Sequence, residues 1–250
     1  MGLAENIAQV QERIAAACAR AGRPSSEVTL VAVSKTCPAE VVSEVYRLGL
    51  RNLGENRVEE TREKISKVRL QISNSTSDLR LQTSELRWHL VGHLQSRKAA
   101  EAVALFDVIH SVDSVKLANK LSRLCIEAGR MMPILLECNV SGEANKYGFP
   151  VATAADKVRW IADVEAILAE EPGVRVEGLM TVAPIVSHAQ DTRPVFRALR
   201  QLCDELAMRF PQTNWRHLSM GMTDDFEIAI EEGATLVRVG RAIFGERQQA

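Results

Sequence analysis

Residues Val28–Val42 read VTLVAVSKTCPAEVV, and this stretch decides the fold. Thr29 to Val33 is β-branched and aliphatic almost without interruption, which is the pattern of a parallel strand buried on both faces rather than of an alternating, half-exposed one. Pro38 then opens an amphipathic segment, PAEVVSEVYRLG, that reads as a helix. Lys35 falls between the two, where a buried strand reaches the surface. By residue type alone a lysine there is a solvated loop side chain. What surrounds it depends on whether the strand–loop–helix unit repeats.

It repeats to the end of the chain. An N-terminal helix, closed by AGRP with Gly22 as its cap, precedes the first strand. RNLGENR reads as a second strand, and a charged helix, VEETREKISKV, leads out of it. RWHLVG, FDVIHSV, MPILLECNV, VRVEGLMTV, WRHLSMG and TLVRVGRAIF read as strands three to eight. Between them lie helical segments such as SVKLANKLSRLCIEAG, VATAADKVRWIADVEAILAEE and PVFRALRQLCDELAMRF, with apolar residues recurring at three and four. Eight strands alternating with helices in 250 residues predict an α/β fold, a TIM (β/α)8 barrel with an extra N-terminal helix and a single domain over 1–250. A doubly wound sheet is the rival, and the strand count favours the barrel. The polar stretch from Leu70 to Leu86, LQISNSTSDLRLQTSEL, breaks the rhythm and reads as an inserted surface loop, with an extension of the preceding helix as the alternative.

Composition narrows the class. The formal net charge is −1 with the signs interspersed, unlike the concentrated basic footprint of a nucleic-acid binder. The five cysteines are scattered without CxxC or Cys/His spacing, which argues against a disulfide framework and a zinc site. The N-terminus has no signal-peptide h-region, and no apolar run is long enough to span a bilayer. These features predict a cytoplasmic protein with reduced thiols.

In a barrel, active sites are built at the C-terminal ends of the strands. The polar residues at those positions are Lys35, Asn56, His89 and Gly92, Ser111, Asn139, Met180 with Thr181, Ser219 to Thr223, and Arg238 to Arg241. No His/Asp/Glu cluster suggests a metal, and no Ser-His-acid set stands out. The last two loops suggest phosphate. SMGMTDDFEIAIEEG puts Gly221, Ser219 and Thr223 just before a helix, and RVGRAIFG again has glycine where backbone would approach a ligand; exposed N–H groups at such turns bind anions. Thr223 or Asp224 acting only as a helix cap is the alternative. A phosphate clamp across a barrel mouth from a strand-end lysine suggests a phosphorylated aldehyde held as a Schiff base, of which pyridoxal phosphate is one example.

The motifs VAVSKTCPAEVV, LGENRVEE, WHLVGHLQSRKA, IHSVDSVKLA, LLECNVSGEANKYGF, GLMTVAP and LSMGMTDDFEIAIEEGATLVRVGRAIFG, in this order, resemble the pyridoxal phosphate homeostasis (YggS/PROSC) family from the first helix to Gly245. The resemblance implies a fold-type III, alanine-racemase-like barrel without a C-terminal β domain. It implies Lys35 as the Schiff-base lysine, Asn56 beside the ring and its phenolic oxygen, Met180 packing at the ring side and Arg238 facing the pyridine nitrogen. Phosphate contacts would come from Ser219, Met220 and Thr223 on one loop and from Gly240 and Arg241 on the other, largely through backbone N–H groups. The long 70–86 stretch and Arg97, where asparagine is common, depart from the family pattern away from these contacts.

Enclosure at a barrel mouth disfavours the charged form of Lys35, and a neutral amine is what imine formation requires. Cys37 reads as structural, since nothing around it would activate a thiol. His89 is either hydrogen-bonded inside the pocket or simply packed, and Lys146 either reaches ligand at the mouth or is a solvated loop residue. Three functions follow in order of preference: a pyridoxal phosphate carrier that supplies apo-enzymes; a single-domain amino-acid racemase or decarboxylase, disfavoured because only ERQQA follows the last strand motif where a second, β-rich domain would start; and a Schiff-base aldolase, which commonly places its lysine later in the barrel.

Overall fold

The computed structural model describes residues 2–73, 86–170 and 172–246. Among these residues nine strands form in chain order: β1 (Thr29–Val33), β2 (Asn52–Glu55), β3 (Arg87–Leu90), β4 (Val108–Val112), β5 (Met132–Asn139), β6 (Phe149–Pro150), β7 (Val174–Met180), β8 (His217–Ser219) and β9 (Leu236–Val239). Each pairing is parallel, and β1 joins both β2 and β9 while β4 joins β5, so eight strands close into a barrel. The two-residue β6, unforeseen from the sequence, pairs only with the end of β5. The expected TIM barrel is therefore the observed fold.

Parallel strands need crossovers, and helices supply them. They are α2 (Ala39–Arg47), α3 (Val58–Ser73), α4 (Ala99–Leu105), α5 (Val115–Glu127), α6 (Ala154–Glu170), α7 (Arg193–Arg209), α8 (Phe226–Glu231) and α9 (Arg241–Phe244). The last two are short and cannot cover the strands beside them. The N-terminal α1 (Leu3–Arg20) fills that gap. Its buried Ile7, Val10, Ile14, Ala17 and Cys18 form one stripe, and Asn6 Nδ2 donates to Ile243 O of α9 at 2.9 Å. Arg13 pairs with Glu227 and Arg20 with Glu231, both on α8.

Two boundaries differ from the sequence reading. Residues 70–73, expected as the start of a loop, continue α3, because Ile72 completes a buried stripe with Val68 and Ile65 at helical spacing. Residues 74–85 of the expected insertion lie outside the described residues, and its last residue, Leu86, is buried in the core just before β3. The strand read through TLVRVGRAIF stops at Val239, where Gly240 turns the chain into α9.

Alternate residues of each strand face the barrel lumen. Val31, Leu135, Met180 and Leu236 form a small apolar cluster there, separate from the large layer between strands and helices. A barrel lumen is ordinarily filled by bulky branched side chains. Here His89, His110, Glu137, Ser219 and Arg238 are also buried.

Candidate functional site

Strand register puts the expected site residues in layers. Val31 lies beside Arg238 and Ala32 beside Val239, while Val33 lies beside Gly54. Lys35 and Asn56 lie two residues beyond this last pair, in the turns that follow the C-terminal ends of the neighbouring strands β1 and β2 at the mouth. Gly92 fixes Asn56 from the β3 side: a Cβ there would lie 2.4 Å from Asn56 O, so only glycine permits the approach. Ser111 Oγ then donates to Gly92 O at 2.7 Å.

The turn that carries Lys35 is strained and heavily tied. Thr36 has φ 68°, the one positive value among the described non-glycine residues. For a β-branched residue this costs on the order of 1–3 kcal/mol and persists only where surroundings enforce it. Ser34 supplies the enforcement: its N–H donates to Gly54 O at 2.9 Å and its carbonyl accepts from Cys37 N at 3.0 Å. Ser34 Oγ donates to Glu55 Oε1 at 2.7 Å, and the buried Lys64 Nζ donates to both Ser34 O (2.8 Å) and Glu55 Oε1 (2.7 Å). A buried Lys–Glu pair is a weak source of stability but a strong constraint on geometry. Burial pushes the Cys37 thiol up, with Lys64 pulling partly the other way, so the thiolate is disfavoured.

The loops after β8 and β9 abut. Thr223 Oγ1 accepts from Ala242 N at 3.5 Å, and Arg241 is ion-paired with Asp224. Gly221, at φ 90°, packs so closely on α8 that a Cβ would sit 2.7 Å from Phe226 Cα. Met222 N–H is taken by Asp225 Oδ1 (2.6 Å) and Met220 N–H by Leu236 O (3.2 Å). Among the described residues, no bond closing these loops takes the N–H of Thr223, Asp224 or Arg241. A Cβ on Gly240 would lie 3.3 Å from Val33 O, inside the space between the β9 turn and β1. These N–H groups and the glycine-lined gap fit a phosphate without needing a cationic side chain.

Beneath the mouth, Arg238 is buried and held by two acceptors. Nη1 donates to Ser219 Oγ at 2.7 Å and Nη2 to Thr181 O at 2.9 Å. Burial lowers it to about 10, although Asp225 and Glu137 favour its charge. It still carries a positive charge at neutral pH. Ser219 Oγ also meets His110 Nδ1 at 2.8 Å, His110 Nε2 meets His89 Nδ1 at 2.9 Å, and His89 Nε2 meets Asn52 Oδ1 at 3.0 Å. His89 is thus hydrogen-bonded at both nitrogens; burial lowers it to about 3 and lowers His110 well below the usual range.

Sequence reasoning did not single out His110, Glu137, Glu55 or Lys64. The signal for the first two was a charged or titratable residue inside an otherwise apolar strand, in VIHSV and ILLEC. Burial, with Asp113 nearby, raises the Glu137 carboxyl to about 7 against the opposing charge of Arg238. Lys146 bridges loops at the rim: Nζ donates to Val182 O at 3.1 Å and pairs with Glu143. Met180 lies in the lumen cluster. Met220 points instead into the layer under the helices. Among the described residues no group of three or more His, Cys, Asp or Glu could hold a metal.

Residues 5–248 match the family described as alanine racemase, N-terminal domain. The pyridoxal phosphate homeostasis protein of Aquifex aeolicus is 38% identical over 248 residues, covering 99% of this chain and 100% of that one. The chain belongs to the pyridoxal phosphate homeostasis branch of this family. A similar solved structure, PipY of Synechococcus elongatus with PLP bound, is 35% identical at a TM-score of 0.77, covering 98% of this chain and 100% of that one. Alanine racemase from Clostridium difficile shares the fold alone, at 11% identity and a TM-score of 0.61, with 89% of this chain matching 53% of the racemase.

Proposed function

We propose that this chain is a cytoplasmic, single-domain carrier of pyridoxal 5'-phosphate, which it holds on Lys35 as a Schiff base and supplies to apo-enzymes. The observation that carries this reading is the meeting of three turns at the mouth: Lys35 and Asn56 follow the paired ends of β1 and β2 at Val33 and Gly54, and Gly240 of the abutting glycine loops approaches Val33 O. The names of its relatives and the PLP held by PipY support the same cofactor. When bound, pyridoxal phosphate supplies an aldehyde for a lysine amine and a phosphate for an anion site. Lys35 is the amine, and the strained Thr36 turn holds it against the pocket wall. Thr223, Gly240 and Arg241 serve the phosphate mainly through backbone N–H groups, with Ser219 and Met220 shaping the β8 side. Asn56 would lie beside the phenolic oxygen of the bound group, Met180 would pack against its ring, and Arg238 would face the pyridine nitrogen.

Arg238 also sets what the carrier does not do well. A permanent cation beside the pyridine nitrogen disfavours its protonation, which makes the ring a poor electron sink for amino-acid chemistry. Among the described residues no helix is long and apolar enough to cross a membrane.

The test is the absorbance of purified protein before and after borohydride reduction, followed by peptide mapping. The adduct is expected on Lys35, and Lys35→Ala is expected to lose the absorbance while staying folded. Mapping to Lys146 or Lys64, with Lys35 unmodified, overturns the assignment. In the same titration, Gly240→Val weakens pyridoxal phosphate binding more than Thr223→Ala does, while pyridoxal without phosphate binds weakly to all three proteins. Exchange of the α-proton of alanine at about one per second or faster would instead favour a racemase.

A further inference from the structure

The polar chain through the barrel runs in one direction, and both of its ends impose that direction independently. Arg238 Nη1 can only donate, so Ser219 Oγ accepts from it and has its own hydrogen to give elsewhere. Its other partner is His110 Nδ1, and among the described residues no third group accepts the hydroxyl hydrogen, so this buried donor is satisfied only if Nδ1 is unprotonated. A neutral His110 carries its proton on Nε2 and donates to His89 Nδ1. His89 in turn carries its proton on Nε2 and donates to Asn52 Oδ1, a carbonyl oxygen that can only accept. No link in the series asks one atom to donate and accept the same proton.

We infer that Asn52, His89 and His110 are positioning residues for the cofactor pocket: through Ser219 they fix the plane of the Arg238 guanidinium and turn the Ser219 hydroxyl hydrogen away from the mouth. The inference deepens the carrier reading and rests on it for the role of Arg238. Ser219 then gives no hydroxyl donor to the phosphate, and its influence on the cofactor passes through Arg238. Asn52 stands at the first residue of β2, at the far end of the strand from the mouth, so control of the pocket reaches down through the lumen. Burial of both histidines keeps them neutral, as the chain requires.

Two measurements test this. In the cofactor-free wild-type protein, 15N NMR of the imidazoles is expected to show both His89 and His110 as neutral Nε2–H tautomers at pH 7. An Nδ1–H tautomer or a charged ring at either position overturns the chain whatever the protein binds. In titrations with pyridoxal phosphate and with pyridoxal, Ser219→Ala and His110→Phe are each expected to weaken both ligands by about tenfold, the scale of a hydrogen bond to a charged group. The double variant is expected to be no weaker than either single one, because both act through one guanidinium. His110→Asn, which keeps an acceptor for Ser219, recovers most of the loss. If Ser219→Ala lowers affinity for pyridoxal phosphate alone while His110→Phe does not, the hydroxyl serves the phosphate and the inference fails. A wild-type protein that binds neither ligand removes the carrier reading, with the tautomers still deciding the chain.

Discussion

Glu137 and the lumen histidines make opposite demands on pH. A carboxyl raised to about 7 in the fold contributes stability that is fully present below its ordinary 4.5 and is lost as pH rises to about 7, on the order of 3 kcal/mol. His89, lowered to about 3 from 6.5, contributes stability that is present above 6.5 and is lost as pH falls toward 3. The histidine shift is the larger, and His110 moves the same way, so acid is the destabilising direction for the protein as a whole. Glu137→Gln is expected to match the wild type in urea unfolding at pH 4 and to exceed it by about 3 kcal/mol at pH 8. A gap that stays constant with pH would mean that Glu137 does not titrate in this window. Lys35 was legible in the sequence because strand, loop and helix signals bracket it. Glu137 and His110 were not, because one polar residue in an apolar strand reads as noise until the strand's inner face is known.

At the scale of elements, α1 takes the place of a barrel helix that α8 and α9 are too short to provide. Its amphipathic stripe was readable from spacing, but its target was not, since nothing local in residues 3–20 names α9. The same holds for the end of β9: TLVRVGRAIF looks continuous as a strand, and only the turn at Gly240 breaks it. Ile14→Ala is expected to cost about 2–4 kcal/mol, as for other buried large-to-small changes. Asn6→Ala removes the bond to Ile243 O and leaves most of the packing, at about 1 kcal/mol. Amide hydrogen exchange in α9 is then expected to accelerate about fivefold while β3 and β5 remain protected. Equal acceleration throughout would show that α1 supports the whole barrel rather than its last segment.

For the whole molecule, the closed ring of parallel strands was the most legible feature, because eight repeats of one unit leave few other arrangements. The candidate site was legible only at strand ends; the polar lumen beneath depends on which inner faces meet across the barrel. Ligand binding should tighten the ring as a unit. Pyridoxal phosphate at 100 times its dissociation constant is expected to raise unfolding stability by about 2.7 kcal/mol without changing the urea slope. A changed slope would indicate that the chain without ligand is partly open.

The seam between β1 and β9 has a consequence in time. Lys35 follows the first strand and the two glycine loops follow the last two, so on the proposed assignment the amine leaves the ribosome long before the loops that would hold the phosphate. At about 5–20 residues per second, roughly 10–40 s of synthesis separate Lys35 from Arg238. If Lys35 holds pyridoxal phosphate as proposed, a growing chain would offer it a lysine without an anchor, and capture would wait until the chain's two ends had met. The cofactor would then serve as a check on completeness: truncated products would retain the amine but have no means of keeping the aldehyde.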